Sequence, residues 1–176
     1  RYSEFEDKMM LIFVSESENR FHLKIAQEII GYTNKVKSII LNTGLSDNYL
    51  FNNDEKVLYG ESYLIDMLFR KKFKITSKSF YQINQRQSGK LYKLAIYFAE
   101  LKASDNVADL YCGVGTIGII VSDHVNHVLG IEVVSDAVKA ANDNINLNEI
   151  SNYEVIEHDL NEDIDVLENI EVAIVD

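Results

Sequence analysis

Asp109-Leu-Tyr-Cys-Gly-Val-Gly-Thr-Ile-Gly118 is the stretch that decides the reading of this chain. Val107, Ala108 and Leu110 read as a short buried strand with an acid, Asp109, near its end, and a glycine-rich turn follows. Gly113 and Gly115 allow a tight turn and a close backbone approach to a ligand, with no side chain in between. From Thr116 onward, Ile117, Ile119, Ile120 and Val121 supply the apolar positions of a helix. A second strand, Val128-Leu-Gly-Ile-Glu-Val133, then carries Glu132 near its carboxyl end, where an acid can hold a ribose hydroxyl pair. Strand, glycine turn, helix and strand-borne acid together describe a nucleoside-cofactor site.

Gly113, Gly115 and Gly118 formally satisfy the dinucleotide fingerprint, so NAD has to be weighed. Two details favour S-adenosylmethionine. Asp109 precedes the glycines at a point where it can face a cationic, amine-bearing ligand; beside a pyrophosphate the same carboxylate is repulsive. A long amphipathic helix, Gln85 to Leu101, comes before the strand, which suits a methyltransferase sheet better than the start of a dinucleotide domain. An NAD-dependent oxidoreductase and a ligand-free glycine turn stay as alternatives.

Periodicity organises the remainder. Residues 1–78 read as a small mixed α/β unit that partly faces substrate. Its strands are Met9 to Val14, Val36 to Leu41, Lys56 to Tyr59, Ser62 to Phe69 and Phe73 to Thr76, with a helix marked by Phe21, Ile25, Ile29 and Ile30. Asn42-Thr-Gly44 and Asn52-Asn-Asp-Glu55 read as turns. Residues 79–176 alternate helix and strand, which calls for a parallel sheet covered on both faces. Ser135 to Leu147 is its next helix, Tyr153 to His158 and Glu171 to Val175 its later strands. The fold class is α/β, an incomplete Rossmann-like class I methyltransferase sheet after the small unit. The chain stops at Asp176 directly after a hydrophobic strand and reads as the N-terminal part of that domain.

Ser79-Phe-Tyr-Gln-Ile-Asn-Gln-Arg-Gln87, Leu91-Tyr92, the Asp109–Gly118 turn, Gly130-Ile-Glu-Val-Val134, and then Ala137, Ala141, Asn142 and Asn144 resemble the RNA uracil-5 methyltransferase family. The resemblance covers Gly60 to Asp176 well and the earlier residues loosely. It implies S-adenosylmethionine as methyl donor and 5-methyluridine as product, in 23S ribosomal RNA ahead of transfer RNA. It implies a cofactor site formed by Gln82, Asp109, Tyr111, Gly113, Gly115, Glu132, Asp159 and Asp176. It also implies that a cysteine thiolate attacks C6 of the uracil and that a base later removes the C5 proton. Both groups fall beyond Asp176 in the family pattern, so no catalytic residue is assigned here and this chain by itself is expected to be inactive. Cys112 reads as a cofactor-loop residue. The alternatives are a methyltransferase acting on another base or a small molecule, and a cofactor-binding piece without turnover.

Charge adds a candidate RNA surface. The net charge is −11, yet residues 70–93 carry 8 basic and no acidic side chains: Arg70, Lys71, Lys72, Lys74, Lys78, Arg86, Lys90 and Lys93. Such a segment is either a phosphate track or a solvated surface. Phe73, Phe80 and Tyr81 within it are expected in the core, with base stacking as the alternative. His124 and His127 read as the end of a helix, and with His158 and Asp159 they lack a further spaced ligand, so no metal site is assigned. The acidic run Glu157, Asp159, Glu162, Asp163 and Asp165 reads as a solvated face apart from Asp159. There is no membrane-spanning apolar run, and one cysteine fits a reducing cytoplasm.

Overall fold

The computed structural model describes residues 1–43, 54–82, 84–161 and 165–175. Gly44, Asn52, Asn53, Glu162, Asp163 and Asp176, all named above, lie outside the described residues. The chain divides into two compact units, Arg1–Asp66 with Lys74–Lys78, and Met67–Phe73 with Ser79–Asp176.

In the first unit, β1 (Tyr2–Ser3), β2 (Lys8–Ser15), β3 (Val36–Thr43) and β4 (Asp54–Gly60) form a sheet in the order β1-β2-β3-β4. β2 and β3 are parallel and the outer pairs antiparallel, so α1 (Arg20–Tyr32) is the crossover that parallel pairing requires. Asn19 caps α1: its side chain accepts the Phe21 N–H at 3.0 Å, and His22 Nδ1 accepts the Asn19 N–H at 3.2 Å. This is a capping box with histidine where Glu or Gln usually stands. Neighbouring residues of β3 feed different cores. Ile39 packs with Ala26 and Val36, whereas Ile40 packs with Met10 and Leu64, as alternation along a strand demands.

Asn42 and Thr43 were expected in a turn, but they continue β3. Asn42 pairs with Glu55 and Thr43 with Asp54, so Asp54 and Glu55 also belong to strand β4. The buried Asn42 amide donates to Glu55 Oε1 at 3.3 Å, and the same oxygen accepts the Ser77 hydroxyl at 2.6 Å. Buried polar groups with partners are tolerated inside a strand. β5 (Tyr63–Leu68) and β6 (Lys71–Thr76) form a two-stranded sheet divided between the units. Phe69 and Arg70 join them at φ 52° and 66°, the backbone of a tight hairpin turn without the glycine that normally announces it.

In the second unit, α2 (Gln85–Ala99) starts at Asn84, whose side chain accepts the Gln87 N–H at 3.2 Å. β7 (Asn106–Leu110), β8 (His127–Glu132), β9 (Tyr153–Glu157) and β10 (Val172–Val175) form a parallel sheet in the order β10-β7-β8-β9. α3 (Thr116–Val121) links β7 to β8, and α4 (Ser135–Leu147) links β8 to β9. Val107 and Ala108 of β7 and Val128 of β8 are fully buried, as covered parallel strands require, and so are Ile119 and Val121 of α3. The chain steps from β7 through β8 to β9 on one side, then crosses back to β10 on the other. β7 is therefore a topological switch, and ligands of open parallel sheets bind at the carboxyl ends of such strands.

His124 and His127 do not end one helix together. His124 closes a short 3₁₀ turn, Val125 is already extended, and His127 opens β8 with Nε2 3.4 Å from Glu154 Oε1. No helix among the described residues is long and apolar enough to cross a membrane.

Gly60 closes β4 at φ 68°, and a Cβ there would lie 2.0 Å from the Lys37 carbonyl oxygen. Backbone strain and overpacking add, so Gly60→Ala should destabilise the first unit by about 2–4 kcal/mol. Urea unfolding followed by circular dichroism measures the loss.

Candidate functional site

Alternate residues of the turn after β7 occupy the left-handed region: Tyr111 at φ 59°, Gly113 at 55° and Gly115 at 79°. That conformation is open to glycine but costs about 1–2 kcal/mol at Tyr111. Hydrogen bonds hold the turn against this strain. Cys112 N–H donates to the Ile131 carbonyl at 3.0 Å and Gly115 N–H to the Cys112 carbonyl at 2.8 Å. Gly113 N–H donates to Glu132 Oε2 at 2.9 Å, while Glu132 Oε1 accepts the N–H groups of Val133 and Val134, both at 2.9 Å. One carboxylate thus ties the end of β8 to the turn.

The two glycines read alike in the sequence, yet they face different surroundings. A Cβ at Gly113 would meet nothing within 4 Å, so its surface is free for a ligand. A Cβ at Gly115 would lie 3.3 Å from Ala141 Cβ and 3.5 Å from the Tyr153 ring. Gly115 is favoured by its φ as the N-cap of α3, and its surroundings are closer packed than those of Gly113.

Asp109 is 1% exposed. Its Oδ2 accepts the Gly118 N–H at 2.8 Å and the Tyr153 hydroxyl at 3.0 Å. The acid lines the recess above the turn, but it is anchored from within the unit. Phe80, Gln82, Asp109, Tyr111, Gly113 and Thr116 are among the residues around this recess. Of the residues read from sequence, Gln82, Asp109, Tyr111 and Gly113 come together there, and Glu132 joins through the Gly113 amide.

Asp159 lies just past the carboxyl end of β9, outside the recess lining. It accepts the Asn161 N–H at 2.9 Å and the Asn161 side-chain amide at 2.8 Å, and these bonds hold its carboxyl below the usual carboxylate range. Phe73 is fully buried, as expected, but Phe80 is 74% exposed. Phe80 follows the last strand of the hairpin, so the reasoning from strand aromatics did not apply to it.

The basic side chains separate by surroundings. Within the second unit, Arg70, Lys72, Arg86, Lys90 and Lys93 are exposed, while Lys71 Nζ pairs with Asp123 Oδ1 at 2.7 Å. Arg86, Lys90 and Lys93 recur on one face of α2 at i, i+4 and i+7. In the first unit, Lys74 Nζ lies 5.2 Å over the Tyr63 ring and Lys78 is exposed.

Cys112 is buried beneath the turn. Burial first, then the Asp109 charge, pushes its thiol up to about 12. A nucleophilic cysteine needs the opposite shift.

The family model described as tRNA (Uracil-5-)-methyltransferase matches residues 19–169. An uncharacterized RNA methyltransferase of Staphylococcus aureus is 39% identical over 148 residues, 83% of this chain and 33% of that protein. One from Halalkalibacterium halodurans is 36% identical over 154 residues, 86% of this chain and 34% of that protein. The chain spans about a third of the length of the curated relatives it matches. Among solved structures, the Pyrococcus abyssi tRNA (uracil-54, C5)-methyltransferase in complex with S-adenosyl-L-homocysteine superposes with a TM-score of 0.78 at 22% identity, covering 98% of this chain and 41% of that one. Trm5b of Pyrococcus abyssi gives 0.60 at 19% identity, covering 88% and 47%. These two likenesses establish the fold.

Folding holds the Cys112 proton more tightly than the unfolded chain does. This contribution to stability is complete below pH 9.0, the ordinary thiol value, and is lost as pH rises toward about 12. At pH 8, iodoacetamide should modify Cys112 on the order of a hundredfold more slowly in the folded chain than in urea. Mass spectrometry of timed samples reads both rates.

Proposed function

The chain belongs to the tRNA (uracil-5-)-methyltransferase family, and we propose that it holds the cofactor for methylation of C5 of a uridine in RNA, with S-adenosylmethionine as methyl donor. The observation that carries this reading is the recess at the carboxyl end of β7, where Phe80, Gln82, Asp109 and the open face of Gly113 meet. S-adenosylmethionine supplies an electrophilic methyl group on a positively charged sulfur.

The residues present fit that group. Gly113 offers backbone with no side chain in the way. Asp109 brings a negative charge to the recess, which suits a cationic ligand. A carboxylate has about four acceptor positions, and Glu132 uses three of its own on backbone N–H groups. The remaining position is available to a ribose hydroxyl. The Gln82 amide serves the amino-acid end of the cofactor, Tyr111 borders it, and Asp159 belongs to the adenine side; Asp176 is carried over as a further residue of the same cofactor site.

On the substrate side, the exposed Phe80 ring offers a face on which a base can stack once it has left its helix. Arg86, Lys90 and Lys93 of α2 form the RNA track within the second unit, with no acidic side chain on that helix to oppose them. Ribosomal RNA, 23S, is the substrate class carried over from the sequence reading. Cys112 cannot supply the thiolate for C6, and it is the one cysteine of these 176 residues. In this reading the nucleophile and the base are not assigned to any of these 176 residues.

Two measurements test the proposal. Charge-assisted hydrogen bonds are worth about 1.5–3 kcal/mol, so Glu132→Ala should weaken S-adenosylhomocysteine binding about tenfold or more by calorimetry; unchanged affinity removes Glu132 from the site. In the second, unmodified 23S ribosomal RNA and tRNA are each incubated with S-adenosylmethionine carrying a labelled methyl group. A protein of the relatives' length that contains this chain should transfer label to uridine C5, and the 176-residue chain should transfer none. Transfer by the chain that disappears in Cys112→Ala would make Cys112 the nucleophile.

A further inference from the structure

We infer that Tyr153, at the start of β9, is the positioning residue of the cofactor turn: it acts through Asp109 and sets where the glycine loop stands. The inference rests on the cofactor reading above and adds a residue that does not touch the recess. Tyr153 is 5% exposed and is not among the residues lining that opening.

Its ring fills a slot that exists because two residues lack side chains. A Cβ at Gly118 on α3 would lie 2.3 Å from Tyr153 Cζ, and one at Gly130 on β8 would lie 2.7 Å from the Tyr153 hydroxyl oxygen. Neither distance is compatible with packed atoms, and an aromatic ring held on both sides cannot move aside cheaply. Gly118 completes the glycine fingerprint in the sequence, yet it faces this ring, so the ring's volume accounts for it. A Cβ at Gly115 would lie 3.5 Å from the same ring. Two glycines of the motif therefore rest on one tyrosine.

The hydroxyl adds direction to this packing. It donates to Asp109 Oδ2 at 3.0 Å, and the same oxygen accepts the Gly118 N–H at 2.8 Å. A buried carboxylate is costly without donors, so this oxygen stays where both of them reach it. That fixes Asp109 at the end of β7 relative to the first turn of α3, and the loop 111–115 hangs between those two points. The Cys112 side chain, in the middle of that loop, interacts with the same hydroxyl. Burial and the neighbouring Asp109 charge raise the phenol well above its ordinary value, so it remains a donor. Tyr153 thus touches the strand end, the loop and the helix start from a strand on the far side of β8.

The test uses Tyr153→Phe, which keeps the ring between the glycines and removes the hydroxyl alone. Amide exchange of Gly113, Gly115 and Gly118 is followed by NMR in the ligand-free chain, and S-adenosylhomocysteine affinity by calorimetry. Exchange at Gly118 should quicken about tenfold and affinity fall about tenfold, the effect of one hydrogen bond to a charged group, while Leu129 and Ile131 keep their protection. A merely structural role would lower protection along β8 as well. Gly118→Ala provides a second route, since its methyl group takes the ring's place and pulls the hydroxyl from Asp109; the same two changes should follow. Unaltered exchange at Gly118 in Tyr153→Phe overturns the inference, as does quickened exchange with unaltered affinity. If the unsubstituted chain fails to bind S-adenosylhomocysteine, the cofactor reading falls, and the exchange measurement alone then decides whether Tyr153 holds the turn.

Discussion

A carboxylate taken out of water must find donors or lose its charge, and Asp109 meets that constraint at the point where strand, turn and helix join. Its Oδ2 receives the Gly118 amide and the Tyr153 hydroxyl, so a single oxygen ties β7 to the first turn of α3 and to β9. Glu132 repeats the device one strand over, at the surface, by accepting the Gly113 amide and the two amides that follow its own residue. The glycine turn is suspended between these two acids. Its three left-handed residues, one of them the strained Tyr111, are affordable because both ends of the loop are held.

Much of this was legible in the sequence where one local rule was enough. The apolar run before Asp109, the glycine spacing and the strand that carries Glu132 each declare themselves within a dozen residues, and β7, α3 and β8 stand where those signals put them. α2 and α4 follow from helical periodicity in the same way. What the local rules missed depends on partners far along the chain. Tyr153 reaches Asp109 across 44 positions. Asn42 stays in its strand because Glu55 satisfies it across a pairing that turn propensity cannot anticipate. The hairpin at Phe69 and Arg70 lacks the usual glycine, and the tyrosine ring that lies near Gly115 comes from a later strand. Phe80 was placed in the core by its type, but it lies past the end of β6 and is exposed.

Cys112 shows how position overrides residue type. A lone cysteine beside a glycine loop in a methyltransferase family invites a catalytic role. Burial and two neighbouring acids keep its proton in place, and its backbone instead closes the turn by donating to Ile131 and accepting from Gly115. The same acids that suit a cationic cofactor work against a thiolate in that loop.

The ring of Tyr153 also constrains how this sequence can drift. Gly118, Gly130 and Tyr153 belong to a helix and two strands, yet they share one volume, so none of them can change size by itself. A smaller residue at 153 opens a cavity, and a larger one at 118 or 130 meets the ring. Lineages that leave this solution must pass through a poorly packed intermediate or alter distant codons together. The three positions are therefore expected to vary as a linked set among relatives, with neighbours in sequence free to change around them.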